Sequence, residues 1–146
     1  MAILKFIGCE GEAHVEKVVA GGTVTAKDLV NLMTDGQAEL ASTGDPIFGQ
    51  ALNSATSGGD LYVLRGSRMQ FIMDNDNTGT TFAATHVGGR FDLAGATGAQ
   101  VIDTSTVAQV GDGTDTGQLL CIAYNPKGFG YDSDTSLGIF EVIERQ

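Results

Sequence analysis

The sequence predicts a mainly β protein, namely a small antiparallel β-barrel or sandwich with an extended N-terminal segment. Short apolar runs recur along the 146 residues and each ends in glycine, aspartate, serine or threonine, which is the pattern of short strands joined by tight turns. Glycine is frequent, with 21 residues against 2 prolines, and it supplies the positive φ values that hairpin turns need. At this length we expect one domain with its own core.

The N-terminal part of the chain contains two candidate strands separated by a polar segment. Residues 2–7 alternate weakly as a strand, and residues 14–19 form the next candidate. Residues 8–13 are small and acidic, and they are predicted to be a loop or an extended arm. We therefore divide the chain into an N-terminal arm or edge strand at residues 1–13 and a single β-domain at residues 14–146.

The segment of residues 25–33 is compatible with two structures. It forms either a short helix capped by Thr25 or a bend followed by a strand at residues 29–33. The strand is favoured because residues 34–36, Thr-Asp-Gly, follow as a hairpin turn and residues 37–41 resume the pairing.

The remaining strands are short, and the last one is the most apolar. They are predicted at residues 47–53, 61–64, 68–73, 81–84, 89–93, 101–103, 108–110, 119–124 and 137–143. In the last strand Ile139, Phe140, Val142 and Ile143 place apolar groups on both faces. Such a strand is either covered by a second copy, which predicts self-association as a trimer, or buried between two sheets of one chain.

Charge and hydropathy exclude several classes of partner. The formal net charge is −10, from 18 acidic and 8 basic residues without a basic cluster, so nucleic-acid binding is not expected. The apolar N-terminal run is too short for a signal peptide, and no segment approaches the length that spans a membrane. We expect a soluble protein that does not bind membranes and is not secreted by the general route.

Two cysteines do not make a disulfide framework. Cys121 lies in an apolar run, where a small buried thiol is the ordinary occupant. Cys9 lies between Gly8 and Glu10 and is expected to be exposed. We predict free thiols in a reducing cytosol.

Three acidic loops resemble calcium-binding loops, but their residues do not predict a metal site. Residues 74–80 begin like an EF-hand loop, with carboxylates at alternate positions followed by glycine. The twelfth position falls at Thr85, where a bidentate acid is needed. Ordinary polar turns are therefore predicted here and at residues 112–117 and 132–135, with no metal and no cofactor.

The histidines give no catalytic pattern. His14 stands between Glu12 and Glu16, as on an exposed strand face, and His86 precedes a glycine turn. Neither has a cysteine or histidine at metal-ligand spacing. The chain also lacks a nucleophile elbow and a phosphate-binding loop. We therefore expect no enzymatic activity.

Several segments of the chain resemble the capsid decoration (cement) proteins of tailed bacteriophages. The segments lie between residues 20 and 110 and are AGGTVTAKDLV (20–30), TDGQAELA (34–41), PIFGQAL (46–52), GGDLYV (58–63), GGRFDL (88–93) and GAQVIDTS (98–105). The resemblance implies a non-enzymatic protein, often a homotrimer, that binds the major capsid protein on the outer surface of the virion and strengthens the shell. It implies synthesis in the host cytoplasm.

The mode of attachment is a hypothesis about the N-terminal strand. Ile3, Leu4, Phe6 and Ile7 form an apolar start that is separated from the rest by glycines. An unpaired strand of this kind usually finds a partner, so we expect it to contact the shell or a neighbouring subunit. In the alternative, it pairs within its own barrel, against the C-terminal strand.

Two other classes of function stay open at this point. A carbohydrate- or receptor-binding module of a phage tail or surface structure would carry exposed aromatic side chains in a cleft. A small hydrolase would carry a pocket with His14 or His86 beside an acid.

Overall fold

The computed structural model of the chain describes residues 3–76, 82–108, 117–126, 128–131 and 134–143, and of residues 105–108 the backbone alone. In these residues a short 3₁₀ turn, Ala84–His86, is the one helical element. The strands are β1 Leu4–Ala20, β2 Leu29–Leu32, β3 Gln37–Leu40, β4 Gly49–Ala51, β5 Asp60–Asp74, β6 Arg90–Ala94, β7 Val101–Ala108, β8 Leu119–Tyr124 and β9 Leu137–Val142. The predicted mainly β class is confirmed.

Five strands close into a ring in the order β1-β3-β2-β4-β5, because β5 pairs with both β4 and β1. These pairings are antiparallel except that of β1 with β3, where Val19 lies beside Gln37 in parallel register. The predicted turn at residues 34–36 joins β2 to β3, so the strand interpretation of residues 29–33 is confirmed. Small and branched side chains fill the ring, namely Ala20, Val24, Val30, Ala38, Ala51, Leu61 and Val63.

The other strands continue the same sheet from β5 in the order β9-β8-β6-β7. A parallel bridge between Asn75 and Ile102 brings β7 back to the end of β5, so this half also curls around a core. Phe82, Phe91 and Phe140 pack edge to face there, with ring centroids 5.3 to 6.2 Å apart. Such aromatic pairs stabilise a core beyond the area that they bury.

β1 and β5 are long because each belongs to both halves. The sequence predicted two strands in each region, with a loop or arm at residues 8–13 and a break at residues 65–67. Those breaks are wrong, because β1 stays paired with β5 across them with three register shifts. Gly11 and Arg68 take positive φ values of 72° and 51°, so the irregularity is absorbed as bulges within paired strands. The division at residue 13 falls inside β1.

Two buried glutamines fasten the ring to the other half. The Gln100 amide nitrogen donates to the carbonyls of Leu29 and Ala41 at 2.9 and 3.1 Å. The Gln118 amide nitrogen donates to the carbonyl of Ser42 at 2.9 Å. Buried polar groups with satisfied hydrogen bonds fix one arrangement of a core, so surfaces on the two halves keep a defined relative position.

Candidate interaction surfaces

The first apolar residues of β1 are held against β5. Leu4 pairs with Met73 and Phe6 with Phe71, and the two phenylalanine rings meet edge to face at 5.6 Å. Both Leu4 and Phe6 pack against the larger core. The strand therefore pairs within its own chain, and its partner is β5 rather than the C-terminal strand β9.

The outer side of the same strand is only half-buried. Ile3 and Ile7 pack with Ile139 of β9 and with Tyr131 in a small outer cluster. Lys5 is exposed between them, and its ammonium lies 6.0 Å from the centre of the Tyr131 ring. This outer side is the part of the predicted N-terminal contact segment that is open to a partner.

β9 is covered on both faces within the single chain. Phe140 and Val142 face the larger core and Ile139 faces the outer cluster, and each is at most 8% exposed. Ile143 follows the strand and lines a cleft. Burial between parts of one chain therefore accounts for this apolar pattern without a second copy, and self-association stays a prediction that must rest on other residues.

Sequence reasoning missed an apolar surface on the outside of the ring. Its members lie on β1, on β5 and directly after β4, are between 39% and 54% exposed, and are Val15, Val19, Leu52 and Tyr62. Lys17 lies opposite Tyr62 in register, and the valines two residues to either side of Lys17 share its face. The N–H of Leu52 donates to the carbonyl of Tyr62 at 2.8 Å. We call this surface the ring patch.

A cleft of about 480 Å³ lies between the two halves and contains His14. The hydrolase hypothesis predicted such a pocket, and His14 Nε2 lies 3.0 Å from Glu16 Oε1. Ser67 lines the same cleft, but within the described residues its hydroxyl forms no hydrogen bond with His14. A serine nucleophile is activated by contact with its base. The cleft thus has a histidine–acid pair without an activated nucleophile.

An arginine occupies the aromatic face in this cleft. The guanidinium of Arg65 lies 3.9 Å from the centre of the Phe48 ring, a cation–π contact. It also donates to Glu16 Oε1 at 3.1 Å. Hydrogen bonds from His14 and then Arg65 hold the pKa of Glu16 below its usual value. Because Arg65 covers one face of Phe48, that face is not open for a sugar to stack upon.

His86 has a structural environment. Its Nδ1 accepts a hydrogen bond from the N–H of Ala83 at 3.0 Å. Its ring packs edge to face against Phe82 and Phe91, with centroids 6.0 Å apart in both pairs. These contacts place His86 at the rim of the phenylalanine core.

Parts of the three candidate calcium loops, residues 77–80, 112–116 and 132–133, lie outside the described residues. Among the residues that the structure does describe, no group of three or more histidine, cysteine, aspartate or glutamate side chains is placed to hold a metal ion.

Both cysteines are free thiols, as predicted. Cys9 is partly exposed at the bulged part of β1, and Cys121 is buried in the larger core. Burial raises the pKa of the Cys121 thiol to about 12.

We expect Ellman's reagent at about pH 8 to modify Cys9 in the native protein and to leave Cys121 unmodified. The thiolate is the reacting form, and a thiol with a raised pKa is almost entirely protonated at this pH. Both should react after unfolding in guanidinium, and the Cys9→Ser variant should react only then. Equal rates for the two thiols in the native protein would contradict the burial of Cys121.

No helix among the described residues has the length and apolar character needed to cross a membrane. No protein-family model matches the sequence, and no curated protein matches it significantly. These comparisons therefore leave the surfaces described above as the structural basis for a proposed function.

Proposed function

We propose that this chain is a structural, non-enzymatic protein of a tailed-bacteriophage virion. It binds the major capsid protein on the outer surface of the shell as a homotrimer and stabilises the shell. It is made in the host cytoplasm, and it needs no cofactor for this role. The resemblance of residues 20–110 to capsid decoration proteins supports the proposal, because the strands of the ring come from this part of the chain together with β1.

The observation that carries the proposal is the ring patch. Four large apolar side chains are exposed on one face of β1, β5 and the residue that follows β4, around Lys17, and clustered exposed apolar side chains of this kind mark interaction sites. The strands are already ordered by their hydrogen bonds, so little conformational entropy is lost when a partner covers them. Tyr62 is of a residue type that is enriched among the side chains that dominate interface energies.

The acidity of the chain fits the same role. With a net charge of −10, free copies repel one another and stay soluble before assembly. Attachment to a shell must then come from local contacts that outweigh this repulsion. The ring patch supplies such contacts. Within the patch Lys17 and Asp60 form an ion pair, with 3.5 Å between Nζ and Oδ2, so these two charges neutralise each other.

We expect the Val15→Glu variant to bind undecorated shells at least about tenfold more weakly than the wild type, because a carboxylate would have to be desolvated in an apolar contact. The matched control is Val87→Glu, since Val87 is 44% exposed but lies outside the ring. Co-sedimentation with shells measures both. Thermal unfolding should show the same midpoint for the two variants.

Equal binding by Val15→Glu and the wild type would show that the ring patch is not the attachment surface. Failure of the wild type itself to co-sediment would overturn the decoration role. The exposed ring of Tyr62 favours a second candidate, a carbohydrate- or receptor-binding module of a phage tail, which would bind host-cell surfaces in place of shells.

A further inference from the structure

Two lysines beside one groove have no acidic partner among the residues that the structure describes. Lys5 and Lys27 line a groove of about 540 Å³ together with Ile3 and Tyr131. Within the described residues no carboxylate lies at ion-pair distance from either lysine. By contrast, Lys17, Arg65 and Arg68 each pair with at least one carboxylate. The groove therefore presents two unneutralised positive charges next to apolar side chains.

The backbone at Lys27 is strained in a way that glycine would relieve. Lys27 has a φ of 80° at the third position of a turn closed by the Asp28 N–H, which donates to the Thr25 carbonyl at 3.0 Å. Turns with positive φ at this position usually carry glycine or asparagine there. A strained non-glycine residue of this kind is a reason to look for a function of its side chain.

Among the described residues that line the groove, Asp28 carries the one carboxylate, and both of its oxygens accept hydrogen bonds. Asp28 is 2% exposed and accepts hydrogen bonds from the Thr25 N–H at 2.9 Å, the Thr97 hydroxyl at 2.6 Å and the Gly98 N–H at 2.8 Å. The carboxylate oxygens of Asp28 therefore face the hydrogen-bond donors of the two loops that this residue connects. The positive charges of Lys5 and Lys27 remain for an acidic group from outside.

The tip of the β2–β3 hairpin has the complementary chemistry. Leu32 and Met33 are exposed there, and Asp35 is exposed in the turn that follows, where Oδ1 accepts from the Gln37 N–H at 2.9 Å. The tip begins at Leu32, the last residue of β2, whereas Lys27 lies just before the first residue of β2. At about 3.3 Å per residue, the four residues of β2 separate tip and groove by roughly 13 Å. A tip and a groove at opposite ends of one strand meet only between copies.

We propose that the groove receives the hairpin tip of a second copy of this chain. Leu32 and Met33 of one copy pack against Ile3 and Tyr131 of the next, and the Asp35 carboxylate lies between Lys5 and Lys27. Such a contact joins two different surfaces, and a heterologous contact of this kind closes into a ring when the rotation allows it. The inference rests on the self-association part of the proposed function and names the surfaces that would build the trimer.

A charge swap followed by light scattering tests this contact. The wild type should be a trimer, and both Asp35→Lys and the double variant Lys5→Glu/Lys27→Glu should dissociate, with a trimer dissociation constant raised at least about 100-fold by like charges placed together. The triple variant that carries all three changes should recover the trimer, because the charges attract again in reversed order. Glu12→Lys, another exposed acid-to-lysine change, is the control and should remain trimeric.

Three outcomes would overturn the inference. The wild type could be a monomer, or Asp35→Lys and the double lysine variant could both remain trimers. The triple variant could also stay dissociated although Asp35→Lys and the double lysine variant each dissociate. Circular dichroism must show native strand content in each variant, which is expected because the changed side chains are exposed. Shell co-sedimentation is measured separately, so loss of the trimer contact and failure of the decoration role give different results.

Discussion

Replacing Phe140 by alanine is expected to lower the free energy of unfolding by about 4 kcal/mol, in the range found when a buried phenylalanine is truncated. Phe140 is fully buried in β9. Its ring lies 5.3 Å from that of Phe82 and 5.6 Å from that of Phe91. The change removes both edge-to-face contacts and leaves a cavity at the centre of the larger core. Urea unfolding followed by circular dichroism measures the loss.

The matched control for this change is Phe129→Ala. Phe129 is exposed, so the same substitution there should change the free energy of unfolding by no more than about 0.5 kcal/mol. Equal effects at the two positions would contradict the placement of β9 inside the larger core.

Deletion of residues 1–11 is expected to abolish cooperative folding. The deletion removes Leu4 and Phe6 from the core and exposes the edge of β5, where Phe71 and Met73 are fully buried in the intact chain. Burial of a large apolar side chain contributes about 1.5 to 3 kcal/mol, so the summed loss is comparable with a total stability of roughly 5 to 15 kcal/mol. Urea titration should show no sigmoidal transition.

The full-length Leu4→Ala/Phe6→Ala variant separates lost packing from lost chain length. Its free energy of unfolding should also be lower than that of the wild type, because the two side chains no longer contact the core. The backbone pairing of β1 with β5 is retained in this variant. A truncated protein with an unchanged transition would contradict the pairing of β1 with β5. Since the truncation removes part of the core, variants of exposed residues are the better tests of the N-terminal contact hypothesis.

The sequence predicted strands well where turn chemistry and alternation coincide. Thr34-Asp35-Gly36 favours a hairpin turn, and β2 and β3 are found on either side of it. The apolar run at residues 119–124 is β8 with the same bounds. In these segments the local preference and the tertiary structure agree, so neighbouring residues are enough to identify them.

Glycines were the main source of error in the strand boundaries. In the sequence, Gly8, Gly11 and Gly66 suggested breaks between strands, but each of them lies inside β1 or β5. Gly66 sits so close to Cys9 that a Cβ there would lie 2.8 Å from its sulfur. A glycine ends a strand or forms a bulge according to whether a partner strand continues past it. That partner is distant in sequence, so local patterns do not distinguish the two cases.

The interaction surfaces were only partly predictable. Val15, Lys17 and Val19 occupy alternate positions of the sequence and therefore share one face of a strand. Alternation alone does not tell whether that face is buried or exposed, and the ring patch was missed for that reason. Lys27 gave no signal because its positive φ is a property of the folded turn. Of the predicted contact residues, Ile3 and Ile7 lie on a half-buried outer face, whereas Leu4, Phe6, Phe140 and Val142 belong to the larger core.

Electron microscopy of undecorated shells of the encoding phage, mixed with the purified protein, tests the decoration role most directly. The proposed function predicts added three-lobed density at regular positions on the outer surface of the shell, with the ring patch towards the major capsid protein. Shells that show no added density at saturating protein, although the protein is folded, would contradict it.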